Sequence, residues 1–226
     1  DIHPLVARDA FGFNLNYFTG DYSAISGKDV FPGHTGYITP STEYRALYNG
    51  NISSMVVNTD KLTIVNATGT STTTGAILYN YKYDQLNRLR SMDAYKGLTA
   101  ANNSWANLVT LNAYRERIAY DANGNILKYL RHGNVNTTIK MDSLSYKYNY
   151  SSGNLVNNRL NWVKDSVVNT GAYVDDIENQ VSVNYQYDAI GNLIKDSSAN
   201  ISSINWNVYG KISDINFNFV TANKTK

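Results

Sequence analysis

Along residues 77–89, ILYNYKYDQLNRL, Ile77, Tyr79, Tyr81 and Tyr83 occupy every second position, with Asn80 and Lys82 between the rings. Side chains alternate between the two faces of a strand, so this spacing predicts a half-buried β-strand with a tyrosine row on one face. The pattern returns along the chain. In LSYKYNYSSGNL (144–155) the row is Leu144, Tyr146, Tyr148 and Tyr150; in VSVNYQYDAIGNL (181–193) it is Val181, Val183, Tyr185 and Tyr187. RIAYDANGNIL (117–127) keeps Ile118 and Tyr120, INWNVYGKI (204–212) keeps Ile204 and Trp206, and RDAFGFNL (8–15) keeps only the second half.

Each row runs into a common corner. Asp9 precedes Gly12, Asp121 precedes Gly124 and Asp188 precedes Gly191 by three places; Asp84 precedes Asn87, which fills the glycine slot. Asp suits the first position of a type I turn, where its carboxylate reaches a backbone N–H two residues on. Gly or Asn suits the left-handed position that closes such a hairpin. Asp-x-x-Gly/Asn is therefore expected to be a hairpin tip, with the tyrosine row entering and an aliphatic pair such as Ile126-Leu127 leaving. Glycine slots at 12, 50, 87, 124, 153, 191 and 210 are separated by 38, 37, 37, 29, 38 and 19 residues, which suggests a unit of about 19. Tyr148 to Gly153 is one residue longer than the other copies, which predicts a bulge or wider turn there.

A tyrosine–aspartate hairpin repeated in this way resembles the YD repeat of Rhs (rearrangement hotspot) proteins. The carriers are Tyr83-Asp84 with Asn87-Arg88-Leu89, Tyr120-Asp121 with Gly124-Asn125-Ile126, and Tyr187-Asp188 with Gly191-Asn192-Leu193. DIHPLVARDAFGFNLNYFTGDY at the start and RALYNGNIS (45–53) resemble the stretch just before the core of Rhs-type proteins from Bacteroidetes-like bacteria. The resemblance covers nearly the whole chain and implies an all-β fold of antiparallel hairpins that form part of a spiral shell, with 1–226 as one such segment of a larger protein. In the family's bacterial toxins the shell encloses a toxic C-terminal segment, and in teneurins it is a cell-surface scaffold. The family's self-cleavage site, Asp-Pro-x-Gly, has no counterpart here: the only prolines are Pro4, Pro32 and Pro40, and none follows an Asp. The implied role is structural and non-catalytic, secreted or at the cell surface. The expected partners are the remaining repeats of the same polypeptide, and outer-membrane secretion machinery of the type 9 kind or surface proteins. An adhesin-like module that binds glycan or a protein partner is the alternative.

Composition narrows the classes. Twenty basic residues against 18 acidic ones leave a net charge of +2, which argues against a nucleic-acid footprint. Nineteen tyrosines against six phenylalanines suit a sheet with one wet face, because the ring packs while the hydroxyl reaches water or a partner. Without cysteine there is no disulfide framework and no thiolate metal site. No apolar run is long enough to span a membrane as a helix. The chain starts at Asp1 with no visible signal peptide, so a piece of a longer protein is expected. Residues 91–116 are expected to be extended strand or loop, with a short helix around Trp105 as the lesser reading; 165–180 are expected to form a long hairpin tip.

Candidate chemistry is sparse, and no catalytic, cofactor-binding or metal-ligating residue is assigned. His3, His34 and His132 are far apart and lack a second ligand at metal spacing. Asp121-Ala-Asn123-Gly124-Asn125 lacks the remaining oxygen ligands and closing Glu of a calcium loop. Asp175, Asp176 and Glu178 are neighbours in a polar stretch, where carboxylates are usually only solvated. The tyrosine rows could stack on sugars, yet their recurrence at every hairpin favours cross-strand packing.

Overall fold

In the computed structural model the described residues are 10–18, 20–23, 25, 45–59, 63–65, 71–73, 75–99, 101–105, 107–168, 170–173 and 177–218. They form fourteen strands: β1 (Phe11–Asn16), β2 (Ser54–Thr59), β3 (Thr63–Val65), β4 (Ser71–Thr73), β5 (Ile77–Tyr83), β6 (Leu89–Lys96), β7 (Val109–Tyr120), β8 (Ile126–His132), β9 (Lys140–Ser151), β10 (Asn154–Asp165), β11 (Tyr185–Tyr187), β12 (Leu193–Asp196), β13 (Ile201–Trp206) and β14 (Ile212–Phe217). The helical content among these residues is one 3-10 turn at Asn136–Thr138. The protein is all-β and antiparallel. Hydrogen-bonded order is β1-β2-β5-β6-β7-β8-β9-β10 in one sheet and β11-β12-β13-β14 in another, with β3-β4 as a separate ribbon. The chain folds as two compact units, Asp1–Ile118 with Leu130–Met141 and Thr170–Val174, and Ala119–Tyr129 with Asp142–Asn169 and Asp175–Lys226.

In the first unit β5 is the central strand. Ile77 and Leu78 are both fully buried, and successive residues face opposite sides, so both faces are covered. Ile77 joins Ala94, Leu111 and Ala113, with Tyr79, Tyr114 and Ile139 packed against them. Leu78 joins Val56, Ala76, Tyr95 and Trp105. The one-wet-face expectation therefore fails here. The reason is Trp105, which is fully buried although it lies in the link between β6 and β7. That link is a loop with turns at 101–103, within the strand-or-loop expectation for 91–116. A bridge pins it, with Thr99 N donating to Ser104 O at 2.8 Å and Ser104 N donating to Thr99 O at 3.2 Å. Farther along the same face Asp93 is nearly buried and carries Arg117 and Arg115, the latter at 3.3 Å.

In the second unit the β9–β10 turn is tighter than predicted. Ser152 and Gly153 both have positive φ (+48° and +80°), the two-residue arrangement that matches strand twist. The predicted bulge lies instead on the outgoing strand, where Leu155 pairs with Tyr150 but Leu160 with Tyr148. The described residues of 165–180 do not cap a hairpin, because the flanking β10 and β11 belong to different sheets. Ile177 N caps the buried Asp142 at 3.0 Å, and Gln180 clips along β10 through Val163 O (3.1 Å) and Val163 N (2.9 Å). Val181 and Val183 are exposed and precede β11 rather than extending its row, and Val183 takes a positive φ of +62°.

Candidate functional site

Four corners share one construction. At each, an Asp or Asn carbonyl accepts from the residue three on: Asn87 N to Asp84 O (3.1 Å), Gly124 N to Asp121 O (3.2 Å), Gly191 N to Asp188 O (3.2 Å) and Gly210 N to Asn207 O (3.0 Å). The same Asp or Asn donates its own N–H to the residue four on, at 2.9–3.0 Å. The residue in the glycine slot is left-handed at all four, with φ of +61° (Asn87), +91° (Gly124), +102° (Gly191) and +71° (Gly210). This is a type I turn closed by a left-handed residue. Strand pairing resumes at Tyr83–Leu89, Tyr187–Leu193 and Trp206–Ile212.

The carboxylates hold these corners from inside. Asp188 Oδ1 accepts from the backbone N–H of Ile190, Gly191 and Asn192, and Oδ2 accepts from the Asn192 side chain at 2.9 Å. Asp121 receives Asn125 by backbone and side chain, both at 2.8 Å, and Asp84 receives Leu86 N, Arg88 N and Arg88 Nε. Those bonds make Asp121 part of the turn. Burial pushes each carboxyl up, and the hydrogen bonds outweigh it, so Asp84, Asp121 and Asp188 all sit below the ordinary aspartate value. A depressed carboxyl stabilises the fold above its unfolded pKa and loses that contribution as pH falls through the folded value. Acid should therefore loosen these three corners from near pH 4 downwards. Asn207 forms the fourth without a charge, so the exchange protection of its turn amides should fall less over the same titration; Asp214, farther along that hairpin and lowered by Asn205, Ser213 and Asn216, is the carboxyl that titrates there.

At three hairpins an aromatic residue near the end of the incoming strand ties the hairpin to the one before it. Tyr83 Oη donates to Ile52 O at 2.9 Å, Tyr148 Oη to Ile126 O at 3.0 Å, and Trp206 Nε1 to Leu193 O at 2.8 Å. Ile52, Ile126 and Leu193 each stand two places past a left-handed glycine, Gly50, Gly124 and Gly191. Phenylalanine could fill the space but not make the bond at Tyr83 and Tyr148. The rims are also stitched side to side. Asn49 and Asn51 Nδ2 donate to Asn87 Oδ1 (2.8 and 3.1 Å), Asn125 Nδ2 to Asn158 Oδ1 (2.8 Å), and Arg159 to the Asp188 and Ala189 carbonyls (both 3.0 Å).

Burial is the largest cause that lifts the tyrosines. Tyr81 is pushed up to about 12, with Tyr83 and Glu116 adding to it, and Tyr148 to about 12, with Asp121 and Tyr146 adding. Tyr79 is raised further still by burial and by Tyr114. A raised tyrosine stabilises the fold below its unfolded pKa and loses that contribution as pH climbs through the folded value. Tyrosinate absorbance and sheet circular dichroism should therefore change together between about pH 10 and 12. Ionisation of all nineteen tyrosines near pH 10 with the sheet intact would contradict these rows.

Tyr79, Tyr81 and Tyr83 lie on β5; Tyr120 ends β7; Tyr146, Tyr148 and the exposed Tyr150 lie on β9; Tyr185 and Tyr187 flank Gln186 in β11; and Trp206 ends β13. Gly50 and Gly153 have positive φ and occupy corners, but Gly12 lies inside β1, so it is a strand residue and not a turn. Asp9, His3, His34, Asp175 and Asp176 lie outside the described residues. His132 Nδ1 meets Asn112 O at 2.7 Å, and burial holds the ring below its ordinary pKa against that contact. Among the described residues no group of His, Cys, Asp or Glu suits a metal ion, and no helix is long and apolar enough to cross a membrane. A cleft of about 490 Å³ in the second unit is lined by Tyr146, Val163, Glu178, Gln180, Tyr185 and Ser198, among others. Gln180 Nε2 braces it by donating to Tyr185 Oη (2.9 Å) and Ser198 Oγ (3.2 Å). No family model matches the chain, and no curated protein matches it.

Proposed function

We propose that the chain is a non-catalytic stretch of wall in a large secreted or cell-surface protein of the Rhs/YD-repeat type. Its sheet would continue into a spiral shell that encloses or displays a C-terminal cargo, and export through outer-membrane machinery of the type 9 kind is the context that the resemblance implies. The observation that carries this reading is the tie from Tyr83, Tyr148 and Trp206 to the carbonyl two places past the preceding left-handed glycine. Such a tie joins neighbouring hairpins and forms no reaction centre. Electron cryomicroscopy of the full-length gene product is the test. The reading expects residues 1–226 to lie in an uninterrupted sheet that curves around an interior. A free-standing domain with a bound substrate, and turnover abolished by one carboxylate substitution, would overturn it.

The cleft beside Tyr146 and Tyr185 favours a second reading, an adhesin-like surface that stacks a neutral sugar on its rings. A glycan array separates the two. Binding lost in a folded Tyr185→Ala variant supports adhesion, and no binding above background supports the wall.

A further inference from the structure

We infer that the open edge of β14 is a docking edge for one more hairpin of the same kind, whose incoming strand ends in Tyr or Trp before an Asp/Asn-x-x-Gly turn. The inference deepens the wall reading and rests on it.

The geometry follows from antiparallel pairing. Paired residues alternate between those that exchange both backbone bonds and those whose N–H and C=O groups face away from each other. Asn207 N donates to Lys211 O at 2.9 Å, so the next pair, Trp206 and Ile212, is of the second kind. The Ile212 carbonyl therefore faces away from β13. The same construction one hairpin earlier pairs Asp188 N with Asn192 O, turning the Leu193 carbonyl outward, and there the Trp206 indole occupies it. The Asp121 N to Asn125 O bond likewise turns Ile126 outward, where Tyr148 occupies it. Ile52 and Tyr83 make the same contact. Ile212 stands two places past Gly210 and is the next acceptor in this series, on the last strand of its sheet.

The edge itself is exposed, although its pairing with β13 is irregular at two places. All six residues of β14 are exposed; Ile212, Ile215 and Phe217 show 47%, 40% and 45% of their surface. It has no Pro and no Lys, two common devices against edge pairing. Its one charge, Asp214, is turned along the sheet to Asn205 Nδ2 (2.8 Å), Asn216 Nδ2 (3.1 Å) and Ser213 Oγ (3.0 Å). A second folded copy of this chain is the wrong occupant. Its handles are engaged: Tyr83, Tyr148 and Trp206 as above, and Tyr187 with the backbone of Leu160. The end strand β1 of the other sheet offers Phe11 and Phe13, which have no hydroxyl to donate.

A synthetic peptide copying residues 181–197, which carries Tyr187-Asp188 and its turn, supplies the probe. Titrated into the full 226-residue chain, it should slow amide exchange across Ile212–Phe217. The Tyr187→Phe peptide should bind roughly fivefold more weakly, the worth of one hydrogen bond. Ile212→Pro in the chain removes an outward N–H that its own hairpin does not use, so β11–β13 should keep their exchange protection while peptide binding is lost. The inference falls if millimolar peptide leaves β14 exchange unchanged, if both peptides bind equally, if Ile212→Pro binds normally, or if β14 becomes protected by self-association alone. Each of those results leaves the wall reading to its own test on the full-length protein.

Discussion

Trp105→Ala should cost the first unit about 3–5 kcal/mol, read as a lower urea midpoint at unchanged slope. Trp105 has no exposed surface and closes the cluster of Val56, Ala76, Leu78 and Tyr95, with Leu98 and Leu108 packed against it. It sits in a loop, so no strand shifts to fill the space that the indole leaves. The lost contacts and the residual cavity both act in one direction. A cost under about 1 kcal/mol would mean that the second face of β5 does not depend on this loop, and the two-sided core would have to be abandoned.

Gly97→Ala should be nearly as damaging, at about 3 kcal/mol or more, for a different reason. Gly97 has φ of +116°, a conformation that a residue with a Cβ adopts only under strain, and an added Cβ would overlap the backbone carbonyl of Asn107. Backbone cannot rotate aside as a side chain can, so the Trp105 loop must move as a body. Gly133 is the informative comparison. There the obstacle is the ring of Tyr173, which can swing away at the loss of its bonds from Val135 N (3.1 Å) and to Thr138 O (2.8 Å). Gly133→Ala should therefore cost about 1–3 kcal/mol. Gly97→Ala and Trp105→Ala disturb the same loop, so thermal or urea unfolding of the double variant should show less than the sum.

The corners were legible because their chemistry is local. Asp at one position and Gly or Asn three later suffice to define the turn, and the structure carries that turn at 84, 121 and 188. The fourth, at Asn207, was visible only through Gly210, because Asn replaces Asp with an amide that accepts from Tyr209 N (2.9 Å) and Lys211 N (3.1 Å) in the same way. What eluded the pattern depends on distant partners. Tyr114 takes φ of +59° inside β7, where Met92 pairs with Glu116 but Ala94 with Leu111, and nothing near Tyr114 marks that irregularity. Its backbone N–H finds Gly133 O at 3.2 Å, a residue nineteen positions away. Trp105 lay in a stretch without alternation, and only the packing reveals that it lids the opposite face of β5. The side-chain ties left a faint trace, Tyr or Trp instead of Phe at or near strand ends. Reading it requires knowing which strand lies alongside.

The most direct test is the carbonyl carbon-13 chemical shift of Ile52, Ile126 and Leu193, followed through Tyr83→Phe, Tyr148→Phe and Trp206→Phe made one at a time. Each substitution should move the shift of its own acceptor alone; the two Tyr→Phe changes should cost about 1 kcal/mol, since a carbonyl loses its donor while the ring stays, and Trp206→Phe should cost more because the smaller ring also gives up packing. Three unmoved carbonyls in variants as stable as the parent would show that neighbouring hairpins are not joined in this way.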